Sequence, residues 1–364
     1  MHSAKCINRN PQSKMNMSTP NTDTLESRID RLHAPGVIDM HWDLLMDLYE
    51  KRKRANVLRD DFEAQLDAGG IGVVGAAIYI DEQYLPEQAL RVGLDQIARL
   101  YVECESNPRF VICKSYADLV KARRENKFAV LITMEGVEPL GSDLNLLRVF
   151  YELGLRSVGL THARRTMAAD GGLFGANISS RGGLTPFGRD LVREMERLSI
   201  IVDLAHLNPA GVEDVLAMTT RPPIFSHVNP RKFFDIDRNA SDDYIRAVGA
   251  RGGVIGVNGA LVGANAAQAT LDMFIDNIEY TVELAGIDHV GLGFDFFKFI
   301  WDQWTPAQQA ALNAYLAPPH FIADLEHHGH TRNLTRRLIA RGWKEEDITK
   351  LLYTNWMRAL ERLL

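Results

Sequence analysis

Short apolar, β-branched runs alternate along this chain with longer stretches whose apolar positions recur at helical spacing. The runs cover residues 37–43, 73–80, 128–135, 157–162, 200–206, 222–227, 253–258 and 289–295. Helical patterns fill the intervals, as at 186–198 (PFGRDLVREMERL) and 271–285. Near-continuous apolar runs predict strands buried on both faces, as in a parallel sheet. Eight strand–helix units in this length predict an α/β fold, a closed (β/α)8 TIM barrel rather than an open sheet.

The run ends carry a second regularity. In order they are Asp43, Glu135, His162, His206, His227, Asn258 and Asp295, with only the second run, ending at Ile80, lacking a polar terminus. A barrel gathers its strand C-termini on one face, where the active site forms. Residues far apart in sequence are therefore expected to converge. In a strand, positions i and i+2 share a side, so His41 and Asp43 are expected to face the mouth together while Trp42 points away. Glu135 closes the buried run FAVLITME, where a carboxylate needs a partner or a metal. His206 closes IIVDLAH and His227 closes PPIFSH. Imidazole and carboxylate are the donors that zinc or a similar divalent ion takes.

The simplest assembly of these five is binuclear. His41 and Asp43 hold one ion, His206 and His227 the other, and Glu135 bridges. A water shared by two ions is acidified to a hydroxide nucleophile near neutral pH. Asp295 is placed to shuttle its proton, and His162 is a candidate to polarise the scissile carbonyl and stabilise the oxyanion.

The segments IDMHWDL, MEGVEPLG, LGLRSVGLTH, GGLTPFGRDLVREMERLSIIVDLAH, PPIFSH, RNASDD, DHVGLGFDF and TNWMRAL resemble the membrane (renal) dipeptidase family of zinc peptidases, within the metal-dependent hydrolase superfamily. The resemblance runs over residues 37–364 and is most specific over 182–227. It implies two zinc ions bridged by a glutamate, at Glu135, and cleavage of dipeptides. It also implies that Arg238 binds the free carboxylate of the substrate, a task that suits a bidentate guanidinium. Trp42, the pair Arg164 and Arg165 after His162, the segment Asp295-Phe296-Phe297-Lys298, and Tyr79 in AAIYIDEQY depart from the family pattern. These positions bear on substrate choice more than on chemistry. An N-acyl amino acid, a lactam or a biosynthetic intermediate is the alternative substrate.

Composition narrows the setting. Among 364 residues the formal net charge is −6, with a pI near 6.0; a nucleic-acid binder would usually carry a basic face. Cys6, Cys104 and Cys113 are odd in number and form no CxxC pair, which argues against a thiolate zinc site or disulfide framework and fits a reducing, cytoplasmic setting. The polar N-terminus has no apolar signal region, and no apolar run is long enough to span a bilayer. Residues 1–24 are expected to form a flexible tail, with Met15 and Met17 as alternative starts, and 25–364 a single catalytic domain. A homodimer is expected from the prevalence of two-fold oligomers. His327-His328-Gly329-His330 reads as a solvated loop, and Lys51-Arg52-Lys53-Arg54 as a solvent-facing run.

Overall fold

The computed structural model describes residues 24–172, 182–313 and 318–364. The tail expected over 1–24 lies outside them, apart from Thr24, whose hydroxyl caps the helix Leu25–His33 by accepting from the Ser27 amide at 3.2 Å. Nine strands lie among the described residues: β1 (Val37–Trp42), β2 (Ile71–Ile78), β3 (Phe110–Ile112), β4 (Phe128–Glu135), β5 (Leu155–Gly159), β6 (Ile201–Asp203), β7 (Phe225–Val228), β8 (Ile255–Val257) and β9 (Val290–Leu292). Eight of them fall within the eight apolar runs, give or take two residues. The ninth, β3, is a side strand on the early half of β4, whose later half pairs with β5.

Pairing is parallel throughout these strands. A large sheet runs β1-β2-β4-β5-β6 and a small one β7-β8-β9. Parallel bridges from Asp203 to Ile224 and from Trp42 to Phe296 join the two sheets at both seams, so the ring closes as a (β/α)8 barrel. A Cβ on Gly293 would lie 1.8 Å from the Ser226 carbonyl oxygen, so only glycine lets the chain after β9 come this close to β7.

Strand alternation decides what points inward. In β4, Ala129 and Leu131 join Ile38, Met40, Val73, Ile201, Ile224 and Val254 in an apolar cluster inside the barrel. Val130, Ile132 and Met134 belong to the larger core under the helices. The same phase carries Glu135 inward at the end of β4. The helix Asn355–Leu363 contributes Trp356, Leu360 and Leu363 to the inner cluster. The Trp356 indole N–H donates to the Leu292 carbonyl at 3.0 Å, which fixes this helix against β9. The opposite end stays open to the mouth. Among the described residues, no helix is long and apolar enough to cross a membrane.

Candidate metal centre

An extra residue in β1 between Asp39 and Trp42 breaks the simple alternation of that strand. Beyond the bulge, His41 faces the mouth while Trp42 turns outward and packs edge-on against Phe62 and His328. Asp43 lies just past the strand, at the start of the helix Leu44–Glu50. His206 and Asp295 also lie past their strands. Both adopt positive φ, 62° and 59°, a conformation costly for non-glycine residues and concentrated at functional sites. The His206 carbonyl accepts from the Gly172 amide at 2.6 Å and from the Thr161 hydroxyl at 3.1 Å, which fixes this turn.

Glu135 is the hub. Its Oε1 lies 2.9 Å from His206 Nε2, 3.4 Å from His227 Nε2 and 3.6 Å from His41 Nε2. His41 Nε2 is also 3.7 Å from Asp43 Oδ1 and 3.9 Å from Asp295 Oδ1. The His41 and His227 rings stack at 3.7 Å, and His206 Nε2 is 2.9 Å from His227 Nε2. The Ser226 hydroxyl engages His227 Nδ1 at 2.8 Å, which directs Nε2 to the cluster. Asn258 donates to Asp295 Oδ2 at 2.9 Å, leaving Oδ1 toward His41. The His162 ring sits 4.4 Å from that of His206 and 4.9 Å from that of Tyr79.

The electrostatics of the cluster are set by burial and by its close carboxylates. Burial pushes the Glu135 carboxyl up to about 8, with Asp43 and Asp295 adding to the rise against the opposing pull of His41. Burial likewise raises Asp295. Burial alone would lower His41, but Glu135, Asp43 and Asp295 outweigh it and hold the imidazole up at about 10. His162, His206 and His227 are driven well below the usual histidine range by burial, so they are neutral. Buried His41 Nε2 has no hydrogen-bond partner among the described residues. Clustered carboxylates and imidazoles fit divalent cations, and three overlapping donor sets are within reach: His41, Glu135 and His227; Glu135, His162 and His206; His41, Asp43 and Asp295.

Arg238 is buried beside this cluster but does not line the cavity above it. One guanidinium nitrogen donates to the His227 carbonyl at 3.1 Å; Nε and Nη1 have no partner among the described residues.

A model of the family described as Membrane dipeptidase (Peptidase family M19) matches residues 27–310. The chain belongs to the membrane dipeptidase family. Dipeptidase tcpJ of Claviceps purpurea (strain 20.1) is 29% identical over 272 residues, covering 74% of this chain and 58% of that protein. Dipeptidase 3 of Mus musculus is 29% identical over 341 residues, covering 90% of this chain and 64% of that protein. The chain thus spans less than two thirds of the length of these two relatives. The crystal structure of the metallopeptidase dipeptidase AC superposes with a TM-score of 0.79 at 26% identity, over 90% of this chain and 98% of that one. A metallopeptidase from Rhodobacter sphaeroides, liganded with a phosphinate mimic of the dipeptide L-Ala-D-Ala, shares the fold with a TM-score of 0.78 at 24% identity, over 90% and 99% of the two chains.

Within this membrane dipeptidase fold the unusual residues have definite places. Arg164 donates to Glu138 and to the Ile80 carbonyl, both at 2.6 Å, and to the Tyr79 hydroxyl at 3.2 Å. Arg165 is exposed and pairs with Asp170. The HHGH tract is not a solvated loop at its centre. His328 is buried and donates to Asp39 Oδ2 at 2.7 Å, because a buried carboxylate needs a partner. Asp39 Oδ1 accepts from the amides of His41 (3.2 Å) and Phe294 (2.8 Å), stitching β1 to β9. Asp203 does the same at the other seam, accepting from the amides of Ala205 (3.0 Å) and Ser226 (2.8 Å). Reading strand ends missed all three. The signal was a carboxylate inside an apolar run, in VIDMHW and in IIVDLAH.

Proposed function

We propose that this chain is a metal-dependent dipeptidase, with residues 25–364 acting as one catalytic domain. The observation that carries the reading is the convergence of His41, Asp43, His206 and His227 around the Glu135 carboxylate, at the mouth of a barrel of the dipeptidase family. His41 and Asp43 would hold one divalent ion, His206 and His227 a second, with Glu135 between; nitrogen and oxygen donors of this kind suit zinc. When bound, such a pair supplies a Lewis acid for the scissile carbonyl and an acidified water near neutral pH.

The remaining work falls to side chains. Asp295, steadied by Asn258, takes the proton of the attacking water at Oδ1 and delivers it to the leaving amine. His162, kept neutral by burial, donates its ring N–H to the carbonyl oxygen as negative charge develops there. Arg238, whose Nε and Nη1 are not engaged by any described residue, binds the C-terminal carboxylate of the dipeptide.

Glu135→Gln is expected to abolish turnover and reduce bound metal, measured by elemental analysis against roughly two ions per chain in the parent. Arg238→Ala should raise KM for dipeptides roughly 10- to 100-fold, the worth of a charged hydrogen bond, and leave C-terminally amidated analogues little affected. Folded parent protein that retains no divalent ion and cleaves no dipeptide overturns the reading.

A further inference from the structure

The cavity over the cluster has two different surfaces. Its floor is Asp43, Glu135, His162, His206 and Asp295; its walls include Met46, Tyr79, Phe297, Ile300, Trp304 and Leu312. Met46, Tyr79 and Ile300 form an apolar cluster separate from both cores, with Phe297 and Trp304 packed against it. An apolar cluster that belongs to no core, and opens on a polar floor, is what a binding pocket for an apolar group requires.

Its place in the ring selects which part of a dipeptide meets it. Met46 follows β1, Tyr79 follows β2, and Phe297, Ile300 and Trp304 follow β9, so the wall centres on the β9–β1–β2 sector. Arg238 follows β7, which lies across the ring from β2. A dipeptide whose carboxylate points to Arg238 and whose amide lies over Glu135 turns its N-terminal residue to the apolar wall. Beyond Trp304 a neighbouring recess carries Asp81 and Glu82, which repel an acidic side chain. The one cation in the wall segment, Lys298, is occupied by Asp302 at 2.6 Å.

We infer that the enzyme selects dipeptides with a large apolar or aromatic N-terminal side chain, received by Met46, Ile300, Phe297 and Trp304. This rests on the dipeptidase reading above. The test compares kcat/KM of metal-loaded protein on Phe-Ala, Leu-Ala, Gly-Ala and Glu-Ala. Phe-Ala and Leu-Ala should exceed Gly-Ala by at least roughly tenfold, the discrimination a hydrophobic pocket provides, with Glu-Ala lowest. Trp304→Ala should lower the Phe-Ala to Gly-Ala ratio several-fold, mainly through KM, and Trp304→Phe should restore most of it. Trp304 is only partly buried, so its truncation leaves the cores intact. Gly-Ala or Glu-Ala cleaved as fast as Phe-Ala overturns this inference alone, as does a Trp304→Ala ratio equal to the parent's. Failure to cleave any dipeptide overturns the dipeptidase reading with it.

Discussion

Asp39 shows how much a single side chain that lines no cavity can determine. Its two oxygens are shared between two backbone amides and the His328 imidazole, so the carboxylate that holds the His41 amide is itself braced by a residue 289 positions further along the chain than Asp39. Truncating one partner of a buried pair leaves the other uncompensated, at a cost of about 3–5 kcal/mol. His328→Ala is therefore expected to lower unfolding free energy by a few kcal/mol and to weaken metal retention in a chelator titration. His328→Gln, which keeps a donor, should recover part of both; an unchanged chelator midpoint in His328→Ala would show that the pair does not position His41. The residues that converge on Glu135 were legible in the sequence because each ends an apolar run, as Glu135 ends FAVLITME, or, for His41, stands two positions before such an end. Asp39 and His328 were not, because a carboxylate that takes amides across a seam leaves no spacing pattern, and its histidine stands in a polar tract.

At the scale of elements, periodicity was informative where helices and strands were long. The helices Pro186–Leu198 and Leu271–Ala285 have the ends that the pattern assigns. The side strand β3 is three residues long and merges with the polar segment around it, too short for any alternation to register. The bulge in β1 was equally silent, although it is what lets His41 face the mouth directly after Met40 has faced inward. The helix Leu25–His33 makes a prediction of its own. His33 bonds to the Gly69 carbonyl at 2.8 Å and the Thr335 hydroxyl at 2.7 Å, and burial lowers its pKa from 6.5 to about 4. The unfolded chain binds a proton that the folded one refuses, so this contribution is complete above about pH 6.5 and is lost as pH falls toward 4. The loss amounts to ~3 kcal/mol at 1.36 kcal/mol per unit. Denaturant unfolding at pH 7 and pH 4.5 should show a smaller difference in His33→Gln than in the parent; an equal difference would place the acid sensitivity elsewhere.

Over the whole molecule, eight repeats of strand and helix announced the barrel, but not that it is assembled from a six-stranded and a three-stranded sheet. Hydrogen bonding between them is sparse: the Leu204 amide to the Ile224 carbonyl at 2.8 Å, the Ile224 amide to the Val202 carbonyl at 3.0 Å, the Asp295 amide to the His41 carbonyl at 3.2 Å, and the acceptors Asp39 and Asp203. The proposed metal donors straddle this division, with Asp43, Glu135 and His206 carried by the larger sheet and His227 by the smaller. Two divalent ions held among them would work as a rivet between two half-shells. Stripping it with a chelator should speed hydrogen exchange first at the amides of Leu204, Ile224 and Asp295, while β2 and β4 stay protected. Uniform loosening of every strand would mean that the two shells do not part. The same ions that would acidify the attacking water would then also keep the vessel closed around a substrate, so metal loss would erase catalysis and shape together.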